Sequence, residues 1–82
     1  MFLQTDNQGL LNFAHIIQLV PKYTDVGATL WAIHPGDEPS TPVRAFKSSD
    51  KEDAMMDCWA LISLLEQKIR LGHVLVSLDD LD

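Results

Sequence analysis

Residues 49–71, S-D-K-E-D-A-M-M-D-C-W-A-L-I-S-L-L-E-Q-K-I-R-L, decide how the rest of this chain has to fold. Both ends carry helix signals. Ser49 with Glu52 three residues later fits a capping box, and Asp50, Glu52 and Asp53 place carboxylates at the positive end of the helix dipole. Lys68 and Arg70 sit in the last turn, and Gly72 offers the left-handed position that closes many helices. Between the ends, Met55, Cys58, Ile62, Leu65 and Ile69 recur at three- and four-residue spacings and form one stripe. Ala54, Leu61 and Trp59 flank it. That stripe is the expected core face.

A second row runs through Met56, Ala60, Leu64 and Leu71, more than about 120° from the first at about 100° per residue. A helix that covers one face of a small sheet has no need of it. The row reads as a contact with a second chain or with the C-terminal tail, against the plainer alternative of scattered exposed apolar residues.

Upstream of the helix the pattern is of short strands and turns. Residues 2–5 and 10–13 flank the turn signal D-N-Q-G at 6–9 and read as a hairpin. Residues 16–20 form a further apolar run ending at Pro21, which cannot donate to a ladder and implies an edge or a bulge. Residues 28–34, A-T-L-W-A-I-H, make the strongest strand: Leu30 and Ala32 point one way, Trp31 and Ile33 the other. Apolar groups on both faces call for cover on both sides. Residues 35–42 hold three prolines and a glycine and form a loop; 43–47 return as a strand. After Gly72, the apolar run 73–78 is either a last strand, in its own sheet or a neighbour's, or a tail laid across the second helix row. The expected fold is therefore α+β: an antiparallel sheet of four to five short strands with the long helix packed on one face.

Composition sets the outer bounds. Eighty-two residues suffice for a single domain with a marginal core, a size at which oligomerisation is a common remedy. Hydrophobic content of 46% and charged content of 22% are those of a globular chain, and no apolar run reaches membrane-span length. The first residues lack the basic and apolar regions of a secretory signal, and a single cysteine allows no internal disulfide, so a reducing cytoplasmic setting is expected. A net charge of −6, with only six Lys and Arg, argues against nucleic acid as a partner and favours other proteins.

Candidate chemistry is thin. His15, His34 and His73 lack metal-ligand spacing; His34 beside Asp37 and Glu38 is the best of them, and a turn histidine is the simpler reading. Cys58 falls on the core face, which favours an inert buried thiol. Asp50, Glu52, Asp53 and Asp57 cluster at the helix start, where capping and the dipole already account for the first three. None of the glycine-rich, nucleophile-elbow or C-x-x-C motifs occurs. Accordingly no cofactor, metal or catalytic residue is assigned.

The succession of a short strand, the D-N-Q-G turn, L-L-N-F-A-H-I-I-Q-L-V and the later capped helix resembles small bacterial proteins built as a β-meander followed by one helix, some of them carried on mobile elements such as integron gene cassettes. The resemblance covers the chain to about Leu71. It implies a small homo-oligomer and carries over no site residues. The leading expectation is a non-enzymatic interaction module that forms a homodimer, through Met56, Ala60, Leu64 and Leu71 or through strand addition at Val74 and Val76. The alternative is a small-ligand-binding protein or weak enzyme with its pocket near Trp31, His34 and the 35–42 loop.

Overall fold

The computed structural model describes residues 1–5, 9–36 and 39–78. Its elements run β1 (Phe2–Gln4), β2 (Leu10–Asn12), a single 3-10 turn (Phe13–His15), β3 (Gln18–Thr24), β4 (Gly27–Ile33), β5 (Thr41–Lys47), α1 (Lys51–Arg70) and β6 (Leu75–Ser77). The class is α+β, with one correction to the expected architecture. The strands form two three-stranded sheets instead of one, ordered β2-β1-β6 and β3-β4-β5.

The larger sheet is an antiparallel meander, with β4 between β3 and β5. Ala28, Leu30 and Ala32 alternate along β4 on the face turned toward α1, and all three are buried. Trp31 and Ile33, on the opposite face, are only half-buried. Gly27 opens β4 at φ +157°, where its hydrogen lies against the Phe46 carbonyl of β5. Both outer strands carry a proline inside their span, Pro21 in β3 and Pro42 in β5, next to the irregularity between Leu30 and Trp31. Prolines are tolerated on edges because half the amide groups there face away from the ladder.

The smaller sheet joins the two ends of the chain. β1 pairs antiparallel with β2 and parallel with β6, so the 73–78 segment is a strand of its own protomer's sheet and does not lie along the helix. The register aligns Leu11, Leu3 and Val76 in one row, and all three are buried together with Leu78. This row enters the same core as Leu30, Val43 and the helix. Each leucine buried this completely contributes about 2 kcal/mol by area removed from water.

The helix begins one residue later than the capping-box reading places it. Asp50 is the N-cap, accepting from the Glu52 amide at 3.0 Å, while the Ser48 hydroxyl accepts from the Asp50 amide at 3.1 Å. An aspartate oxygen is as good a cap as serine's and lies closer to the first free N–H groups. The C-terminus closes with paired bonds from Gly72 to the Ile69 carbonyl and from His73 to the Lys68 carbonyl, with Gly72 at φ +78°. This is the Schellman arrangement, and it requires the left-handed residue that glycine provides.

The buried helix residues are Ala54, Cys58, Leu61 and Leu65, with Met55 and Ile62 half-buried beside them. By about 100° per residue, the inward direction is turned about 50° from the centre of the expected stripe. Ile69 and Trp59 consequently fall outside it. Trp59 is 55% exposed.

Candidate functional site

Two features stand out once the core is accounted for. The first is apolar surface. Among the described residues, twelve large apolar side chains are exposed, as many as there are hydrophobic residues in the buried core. Single exposed apolar groups are ordinary, so what informs is where they cluster. Part of it is the expected second helix row: Met56 at 68%, Leu64 at 37% and Leu71 all face outward, with Ala60 between them. Val74, 75% exposed, follows just past the helix end. Val76 does not belong with them. It points into the core in the row with Leu3 and Leu11, because side chains alternate along β6 and the intervening Leu75 takes the outer face.

The second feature is a cleft of about 280 Å³ where the two sheets meet. The β1–β2 hairpin supplies one wall, with Thr5, Leu10 and Asn12; His15, His34 and Thr41 supply the other. His34 stands just past β4 and is held at both ring nitrogens. Its Nδ1 lies 3.2 Å from the His15 carbonyl oxygen and its Nε2 lies 2.8 Å from Thr41 Oγ1. The strand β5 starts at Thr41, two residues before the expected 43–47 strand, so it is the first residue of β5 and not the 35–42 loop that lines the cleft, and Trp31 is not among its lining residues. Asp37 and Glu38, named from the sequence as possible metal partners of His34, lie outside the described residues. Among the described residues no group of three or more metal-ligating side chains converges.

The hydroxyl–imidazole–acceptor order of Thr41, His34 and the His15 carbonyl has the geometry of a nucleophile, its base and an orienting group. Among the described residues the third member is a neutral carbonyl instead of a carboxylate. A neutral carbonyl fixes the ring tautomer but does not stabilise the imidazolium that a proton-abstracting base must become, which is the task of a buried carboxylate in acyl-transfer sites. The arrangement is suited to hydrogen bonding.

Cys58 is fully buried on the core side of α1. Burial, with a smaller contribution from the adjacent Asp57 carboxylate, raises its thiol pKa above the ordinary 9.0. A thiol that holds its proton more tightly in the folded state stabilises that state fully below the unfolded pKa, and the contribution disappears as pH rises from about 9 through the folded value. Urea midpoints are therefore expected to fall more steeply between pH 8 and pH 10.5 for the wild type than for Cys58→Ala. Parallel slopes would remove Cys58 as the cause.

Sequence reading identified the outward helix row and His34, but missed the other walls of the cleft. Thr5 and Thr41 are 36 positions apart. Only the meeting of the hairpin with the end of the larger sheet brings them together, and no local spacing signals it. No protein-family model, curated protein or solved structure matches this chain. No helix among the described residues is long and apolar enough to cross a membrane.

Proposed function

We propose that this protein is a non-enzymatic interaction module whose primary partner is a second copy of itself, joined through the outer face of α1. The observation that carries this reading is the exposed row Met56, Ala60, Leu64 and Leu71, continued by Val74. Three arguments support it. The open edges of the larger sheet each contain a proline, and those of the smaller sheet are only three residues long, so strand addition has little to build on. The row also suits an isologous contact. In an antiparallel helix pair with its two-fold axis crossing the outer face at the height of Ile62, Ala60 of each copy faces Leu64 of the other, small against large. The same axis brings Asp57 beside the second copy's Lys68, so the helix's acidic and basic halves complement each other.

Light scattering should give twice the 9.2 kDa chain mass for the wild type. Leu64→Glu should shift it to monomer, with dimerisation weaker by roughly a hundredfold or more, because an unpaired carboxylate would have to be desolvated. Lys68→Glu should weaken the dimer, and the swap Asp57→Lys with Lys68→Glu should restore it. A monomeric wild type, or a dimeric Leu64→Glu variant, would refute the assignment.

A further inference from the structure

We propose that the cleft between the β1–β2 hairpin and the His34 end of the larger sheet binds a small, uncharged molecule that donates hydrogen bonds and carries an apolar ring or chain. The positions of the protons set what the cleft can offer a ligand. The His15 carbonyl can only accept, so Nδ1 of His34 carries a proton toward it. In the neutral ring Nε2 is then an acceptor, and the Thr41 hydroxyl spends its one proton there. What Thr41 has left for the cleft is oxygen lone pairs. Thr5 repeats the pattern more loosely, its hydroxyl donating to the Gly9 carbonyl at 3.4 Å. Asn12 Oδ1 accepts from the Ala14 amide at 3.0 Å and keeps one lone pair, and its Nδ2 carries two N–H donors.

The oriented oxygens of Thr41, Thr5 and Asn12 accept while Asn12 Nδ2 donates, so a ligand that donates N–H or O–H groups and also accepts, as a primary amide does, completes the wall. No Lys, Arg, Asp or Glu lines the cleft among the described residues. Among those described residues an anion meets lone pairs with no countercharge, and a cation finds no carboxylate. Leu10 and Leu11 supply the apolar surface against which a ring or chain can lie. The volume, about 280 Å³, lies just below the usual range for ligand pockets and equals the space of roughly nine waters. His34 is tied at both nitrogens, so the Thr41 oxygen is already oriented and little ordering remains to be done on binding. A purely structural pin between strands would need neither the cavity nor the acceptor-rich lining.

The test is an NMR titration of the full chain with three molecules of nearly one shape: benzamide, benzoate and benzamidine. Benzamide is expected to shift the His34, Thr41 and Thr5 signals saturably, with a dissociation constant on the order of millimolar for a ligand of that size. Thr41→Val should weaken it about three- to tenfold, the value of one hydrogen bond. Leu10→Ser, at an exposed position that the fold does not require, should weaken it as well. Helix amide signals report whether Thr41→Val is folded; if it is not, Leu10→Ser carries the test. The proposal falls if benzamide gives no saturable shift at these residues, or if either charged analogue binds as tightly as benzamide. Wild-type affinity in a folded Thr41→Val variant, or in Leu10→Ser, also overturns it.

Discussion

Gly27→Ala is expected to lower the unfolding free energy by at least about 3 kcal/mol, a large part of what a chain of this size has to lose. Gly27 lies where β3 and β5 both pair with the start of β4, opposite Thr24 on one side and Lys47 on the other. A methyl group there would run into the Phe46 carbonyl oxygen, with the carbonyl carbon 3.0 Å and the Lys47 Cα 3.1 Å away. These are backbone atoms held in the ladder, so they cannot swing aside as the tip of a side chain can. The backbone at φ +157° adds strain for any L-residue. Urea denaturation followed by far-UV circular dichroism gives the number. Gly36→Ala provides the control, since its Cβ would meet nothing within 4 Å and only the conformational cost at φ +71° remains. A Gly27→Ala variant as stable as Gly36→Ala would contradict the close strand approach.

The second large effect separates two helix residues that sequence reading places on or beside the same face. Leu65→Ala should cost about 3–5 kcal/mol, because Leu65 is fully buried in the shared core and its loss leaves a cavity as well as exposing less apolar surface to packing. Trp59→Ala should cost less than about 1 kcal/mol, despite removing a far larger side chain, because Trp59 is more than half exposed. Residue type alone predicts the reverse order. Chemical denaturation of both variants at one protein concentration decides it, and equal losses would mean that the inward direction of α1 is misassigned.

These two residues show how far local pattern reaches. The capped helix, its stop at Gly72, the strong strand read at 28–34 and found at Gly27–Ile33, and the edge character of the Pro21 strand are all legible along the chain, because each depends on groups a few residues apart. The outward row Met56, Ala60, Leu64 and Leu71 is legible for the same reason. Periodicity also gives the width of an apolar stripe but not its exact bearing. The helix covers β3, β4 and β5 while sharing its core with the Leu3, Leu11 and Val76 row, and that shared core turns Ala54 and Leu61 inward and Trp59 outward.

The division into two sheets is the clearest example of what no local pattern contains. Residues 73–78 look equally suited to a neighbour's sheet, a helix-hugging tail or a strand of their own. The parallel pairing of Leu75–Ser77 with Phe2–Gln4 closes a contact across almost the whole chain, and it is selected by burying Val76 and Leu78 against Leu3. The cleft follows from that choice, since it exists only where the small sheet's hairpin meets His34 and Thr41. By itself, then, the sequence determined the main elements, the helix ends to within a residue and the apolar row on the outer face of the helix, all set by short-range hydrogen bonding and periodicity. Only the tertiary structure decided which strands pair, which way the helix faces and where a cavity lies, because burial rewards contacts between residues that are distant along the chain.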